Sequence, residues 1–157
     1  MAIEYRLMRS GEASKVCELV DIVFHQYVAP EYSPEGIVTF RGYNEPHEII
    51  RRSNSGHFML VAVNGDEIIG CIEIRNNQHI SMLFVARPWQ GKGIGRQLWN
   101  SALKRSQAAD DSVREFTVCS SPYAVPIYEK LGFCKTSSEQ VSSGLRFMPM
   151  AFHLRRL

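Results

Sequence analysis

Residues 80–99 read Ile-Ser-Met-Leu-Phe-Val-Ala-Arg-Pro-Trp-Gln-Gly-Lys-Gly-Ile-Gly-Arg-Gln-Leu-Trp, and the fold turns on this stretch. The apolar run Ile80 to Val85 predicts a buried strand, Pro88 stops it, and the periodic apolar residues from Ile94 onward predict a helix. Between them lies Gln90-Gly91-Lys92-Gly93-Ile94-Gly95. Glycines at alternate positions remove the Cβ atoms that would hold a ligand off the backbone, and a helix start leaves N–H groups without intrahelical partners. A loop of this kind attracts phosphate.

Spacing decides which phosphate ligand. A P-loop needs Gly-Lys-Ser/Thr, but Lys92 is followed by Gly93. A dinucleotide fingerprint starting at Gly91 needs glycine at 96, where Arg96 stands. The pattern left is Gln90-x-x-Gly93-x-Gly95, with Val85 and Pro88 at set distances before it. This resembles the pyrophosphate-binding signature of the GCN5-related N-acetyltransferase (GNAT) family. A second segment, Ala124 to Phe133, contains Tyr128-Glu-Lys-Leu-Gly-Phe133 and resembles the second signature of that family, about 30 residues on and in the right order.

Working outward, residues 2–8 predict a first strand, and Ser10 with Glu12 predicts the capped start of a helix carrying Val16, Leu19, Val20, Val23 and Tyr27 to near Pro30. Ser33-Pro34-Glu35 predicts a second helix, and Asn44-Glu45-Pro46 a third, reaching Arg52. Phe58 to Val63 and Ile68 to Ile74 predict a hairpin about Asn64-Gly65. Asn76-Asn77-Gln78 turns the chain into His79 to Val85, so three antiparallel strands precede the glycine loop. The helix after it ends at Ala109, Phe116 to Cys119 is a short strand, and a helix begun by Ser121-Pro122 is stopped by Gly132. Leu145 to Leu154 predicts a final strand whose Pro149 implies a bulge or an edge, and hence a candidate homodimer edge.

The chain of 157 residues is the size of one domain, expected to span 1–157. A net charge of +2 is too small to argue for nucleic acid, which usually demands a clustered basic face, so no nucleic-acid partner is expected, and no apolar run reaches membrane length. The start has no signal-peptide h-region, so the expected location is cytoplasmic, away from membranes. Cys17, Cys71, Cys119 and Cys134 lack paired spacing and are expected as buried, reduced thiols. His25, His47, His57 and His153 show no metal-ligand spacing, so no metal is expected.

The resemblance implies an α/β fold, with a mixed, mostly antiparallel central sheet flanked by helices and splayed at an acetyl-CoA cleft. It implies acetyl transfer to the amine of a small molecule or peptide, with acetyl-CoA as co-substrate. Leu83, Phe84 and Val85 would pair with the pantetheine arm, and the amides of Gly91, Lys92, Gly93, Ile94, Gly95 and Arg96 would hold the pyrophosphate, with Gln90 ordering the loop. Tyr128 would protonate the leaving thiolate, and the Val85 N–H is a candidate oxyanion donor. Ser121 stands where the family often has asparagine. His79, at the start of the strand before the loop, is a candidate base, and Glu73, between Ile72 and Ile74, is a second one if its side of the strand faces the cleft. Tyr27, Tyr32 and Glu35 fall in the region that covers the acceptor pocket in that family. Other acyl groups, an O-linked acceptor and a non-catalytic acyl-CoA sensor remain alternatives.

Overall fold

The structure, a computed structural model, describes residues 2–155. Strand β1 (Glu4–Leu7) leads through a 3-10 turn into α1 (Ala13–Val23), which loosens into a π turn (Phe24–Val28) and a second 3-10 turn (Ala29–Glu31). Helices α2 (Pro34–Tyr43) and α3 (Pro46–Ser53) precede β2 (His57–Asn64), β3 (Glu67–Arg75) and β4 (His79–Val85). Then come α4 (Ile94–Ala109), β5 (Glu115–Ser120), α5 (Val125–Leu131), β6 (Cys134–Lys135), β7 (Gln140–Ser142) and β8 (Leu145–His153). The strands form one sheet in the order β1-β2-β3-β4-β5-β8-β6, with β7 also on β8. All its pairings are antiparallel except β4 with β5. This is the mixed, mostly antiparallel sheet with flanking helices that the sequence predicts.

Alternation along the strands divides the core in two. Leu60, Ile72, Ile80, Phe116 and Val118 face α4 and α5, where Leu98, Trp99 and Ala102 are buried with them. Trp99 packs edge-on to Phe116 and Phe152, at 5.4 and 5.5 Å between ring centres. On the opposite face Met59, Val61, Cys71 and Met82 lie under α1 and α3, covered by Val16, Val20 and Ile49. Each such side chain contributes about 1.5–3 kcal/mol by leaving water, so both layers are needed to hold the sheet.

Four local expectations need correction. Ser10 does not cap α1: Glu12 accepts the Arg9 N–H (2.8 Å) and two bonds from Arg6 (2.8 and 2.7 Å), and the Arg6 guanidinium holds its carboxyl down to about 2. The hairpin turn is Gly65-Asp66, one residue later than predicted, because the left-handed φ of +63° falls on Gly65 at the first central position. Helix α5 begins at Val125, after a turn in which the Ala124 N–H reaches Ser121 O at 3.1 Å. Its predicted stop stands, since Gly132 takes φ +105°. Pro149 marks neither a bulge nor the sheet's rim. It pairs with Cys119 on one side, and on the other its carbonyl accepts the Thr136 N–H (3.0 Å), in the gap between the β6 and β7 pairings. The carbonyl and nitrogen of one strand residue face the same edge, so its missing N–H falls in that gap. With neighbours on both sides, β8 is not the free edge on which the candidate homodimer was drawn.

Helix α2 is anchored from a distance. Ser33 caps it through Gly36 N (3.2 Å), and Thr39 Oγ1 donates to Ser143 O (2.9 Å) on the β7–β8 turn. A Cβ at Gly36 would stand 2.2 Å from Gly144 O, so the two backbones meet where no side chain fits. Gly36→Ala is expected to lower stability by about 1–3 kcal/mol through overpacking, read as a lower urea midpoint. An unchanged midpoint would show that this contact is not made.

Candidate active site

Strands β4 and β5 pair only at His79 with Thr117 and Ile80 with Val118. Beyond that point they diverge. On its other side β4 stays paired with β3 to Val85, and the Ala86 N–H donates to Ile69 O (2.8 Å). Amides alternate along a strand, so Met82, Phe84 and Ala86 bond toward β3, while Leu83 and Val85 present theirs to the open side. The edge thus exposed borders a cleft of about 890 Å³.

The glycine loop closes one end of this cleft. Gly91 and Gly93 take φ of +76° and +83°, which only glycine adopts without strain, and Gly93 is the residue from which the 16-residue α4 starts. Gln90 Nε2 donates to Val85 O (2.9 Å), tying loop to strand. Gly91, Gly93, Ile94, Gly95 and Arg96 all line the cleft, and Arg96 is braced by Lys130 O (2.8 Å). Lys92 is not on the wall: it is exposed, with its ammonium 5.2 Å from the Trp89 ring centre.

Tyr128 is 5% exposed and lines the cleft. Among the described residues its hydroxyl has no hydrogen-bond partner, and burial pushes its pKa up, so it keeps its proton at neutral pH. Ser121 also lies on the wall, where its Oγ accepts the Ala124 N–H at 3.3 Å. His79 sits at the vertex of the splay, Nδ1 2.7 Å from Thr117 Oγ1. Burial, then Arg75 and His57, lower its pKa to about 4, so the ring is neutral at pH 7.

Register places a bulge at this point. Glu73 pairs with Met82 and Ile74 with Ile80, leaving Ser81 as an extra residue in β4. Its Oγ donates to Glu73 Oε1 (2.8 Å), which also accepts from the Tyr43 hydroxyl (3.1 Å). Glu73 is fully buried, and its other oxygen takes the Arg52 Nε–H at 3.1 Å. The expectation of Glu73 as a cleft base is therefore corrected. It stands behind Ser81 and Tyr43, which line the cleft where it does not.

Tyr27 and Tyr32 are on the wall, and Tyr27 stacks on Tyr123 at 4.8 Å. Burial pushes the Tyr32 hydroxyl up to about 12. Glu35 is exposed in the first turn of α2 and does not line the cleft, correcting its placement there. Phe40 and Tyr43, aromatics of the same stretch, are on the wall as well, and wall residues that the sequence did not single out include Thr39, Arg75 and Ser81. The helical period placed Phe40 and Tyr43 on a segment whose inward side only the docking of α2 defines. Cys17 and Cys71 are buried as expected, but Cys119 and Cys134 are exposed, and Cys119 lines the cleft. No group of three metal-ligating side chains occurs among the described residues.

The acetyltransferase (GNAT) domain family matches residues 28–154. The chain belongs to the GNAT acetyltransferase family. It is 30% identical over 102 residues to a UPF0039 protein of Schizosaccharomyces pombe, covering 63% of this chain and 68% of that one. It is also 30% identical over 88 residues to N-alpha-acetyltransferase 30 of the same yeast, covering 50% of this chain and 58% of that one. The solved PaiA N-acetyltransferase of Thermoplasma acidophilum, in complex with coenzyme A, superposes with a TM-score of 0.81 at 21% identity, covering 98% of this chain and 99% of that one. These likenesses fit the splayed sheet and glycine loop of a GNAT fold. No helix among the described residues is long and apolar enough to cross a membrane.

Two outcomes follow from the polar groups on this face. Arg52→Ala leaves a buried carboxylate unpaired and is expected to cost about 3–5 kcal/mol in urea unfolding; a cost below 1 kcal/mol would contradict the buried pair. Unfolded His79 titrates near 6.5 and folded His79 near 4, so the unfolded chain binds more protons between those values. Its contribution is present above pH 6.5 and is lost as pH falls toward 4. His79→Gln is expected to lose less stability than the parent from pH 6.5 to 4.5, and an equal loss would show that His79 is not held neutral.

Proposed function

We propose that this GNAT-family protein transfers the acetyl group of acetyl-CoA directly to a primary amine. The observation that carries this is the shared mouth of two complementary surfaces, an unpaired strand edge and a glycine-flanked helix start. The first fits the amides of a pantetheine arm and the second fits a pyrophosphate. Val85, next to the glycine loop, holds the arm. Leu83 lies two residues nearer the vertex, so its N–H rather than that of Val85 is the better placed oxyanion donor.

The acceptor nitrogen attacks the acetyl carbonyl, the new C–N bond forms, and the C–S bond breaks from the tetrahedral intermediate. Backbone N–H groups stabilise the oxygen as it gains charge. Tyr128 gives its proton to the thiolate and recovers one from solvent. Neutral His79 accepts the proton shed by the amine, directly or through water, and passes it to bulk. Although Cys119 reaches the cleft, partial desolvation by its neighbours raises the pKa of its thiol, which favours direct transfer over an acetyl-enzyme on that sulfur.

Acetyl-CoA at about 100 times its dissociation constant is expected to stabilise the protein by about 2.7 kcal/mol, a rise in Tm of roughly 5–10 °C, with no such rise from ADP or NAD. Free CoA thiol is then expected on addition of primary amines. Tyr128→Phe should lower kcat about 10²-fold or more while leaving KM for acetyl-CoA unchanged. A Tm rise without turnover on any amine would leave only an acyl-CoA-binding protein, and equal rises with ADP would remove the acetyl-CoA site.

A further inference from the structure

The cleft carries two separate cationic ends. Arg96 and Lys130 flank the glycine loop, where a cofactor's phosphates would sit. Arg75 is the last residue of β3 and pairs with His79, the first of β4. Six steps separate His79 from Val85, about 20 Å at the usual strand rise. Arg75 is thus too far from the loop to serve those phosphates. It lies on the face that holds His79, Ser81 and Cys119, the side of the sheet covered by α1 and α2. Among the described residues its guanidinium has neither a hydrogen bond nor an ion pair.

The carboxylates near that end are already engaged. Glu48 is the one carboxylate on the cleft wall among the described residues, and Arg51 holds it through two nitrogens at 2.6 and 3.0 Å. Glu31 accepts the Tyr123 N–H at 2.9 Å, and Glu73 is buried against Arg52. A polycation would find no uncommitted counter-charge here, whereas an anion would find Arg75. Farther along the same cleft the wall is aromatic, with Tyr27 stacked on Tyr123 and, toward the glycine loop, Phe40 stacked on Phe24 at 4.0 Å and 6.0 Å from Phe84.

We infer that the acceptor carries a carboxylate near its amine on an aromatic body, and that Arg75 binds the carboxylate. A guanidinium takes a carboxylate through two parallel, charge-assisted bonds, and the stacked rings offer flat apolar contact to the remainder. With the carboxylate at Arg75, the neighbouring amine lies toward His79 and the vertex of the splay, where the acetyl carbonyl would be. This assignment rests on the acetyl-transfer proposal above.

Three matched pairs test it: L-phenylalanine with phenethylamine, L-tyrosine with tyramine, and L-tryptophan with tryptamine, plus spermidine as a polycation. CoA release with acetyl-CoA is the readout. In at least one pair the amino acid is expected to exceed its decarboxylated partner by tenfold or more in kcat/KM. Arg75→Gln should lower kcat/KM for that amino acid by about ten- to hundredfold, through KM, while changing that of the partner amine less than threefold. The inference is overturned if spermidine or the decarboxylated amines are preferred, if Arg75→Gln affects both members of a pair equally, or if no amino acid is acetylated. CoA release with any amine, together with the Tm rise, leaves the acetyl-transfer proposal standing in those cases; loss of the rise, or a rise with no turnover on any amine, removes the proposal on which the inference depends.

Discussion

The constraint on which this molecule depends is a parallel strand pair that lasts for two residues. β4 and β5 meet at His79–Ile80 and Thr117–Val118 and then separate, which leaves a row of backbone amides without a neighbour inside an otherwise continuous sheet. Unpaired backbone groups away from water are costly, so the gap persists only where water or a ligand can reach it. Devices on both sides keep it open. The Ser81 bulge re-aims β4 at the vertex, and the Gln90 side chain holds Val85 O at the far end.

The two faces of the sheet divide the work. Under α4 and α5 the core is apolar and densely aromatic, built on Trp99 and its neighbours, and it fixes the glycine loop relative to β4. The opposite face carries polar chemistry into its interior: Glu73 ties Arg52, Tyr43 and Ser81 into one cluster beneath the cleft. That cluster sets the position of two wall side chains without reaching the cleft itself. A buried ion pair adds little net stability once desolvation is counted, so its value here lies in fixing geometry.

What was legible in the sequence was local. Pro88, the alternate glycines and Gly132 announce backbone conformations that few other residues accept, and the loop and the end of α5 stand where they predicted. Alternation and helical period located the elements from β2 to β5 and the length of α4. What was hidden depends on residues far apart in the chain. The bulge at Ser81 exists only as a mismatch between two strands. Glu73 has its meaning from Arg52, 21 residues earlier, and period-2 reasoning could tell its face but not that α3 covers it. Glu35 and Phe40 both lie on α2, and only the way that helix docks turns one outward and the other to the cleft. Cys119 was placed inside by its apolar neighbours, while the parting of the strands at Val118 exposes it.

The meeting of Gly36 with the Gly144 carbonyl has a consequence for how this scaffold diversifies. That seam joins the wall helix to the C-terminal hairpin by a close approach of two backbones, reinforced by the Thr39 hydroxyl on Ser143 O, so part of its strength does not depend on which side chains α2 turns toward the cleft. Of the wall positions on that helix, Thr39 and Tyr43 are also bonded away from the cleft, to Ser143 O and to Glu73, so a change at either alters the seating of the helix together with the shape of the wall. On the other side, the glycine loop admits few replacements because its dihedral angles forbid them. One wall of the cleft is thus fixed by backbone dihedral angles and the other by side chains, and a change of the cleft's shape comes through the second.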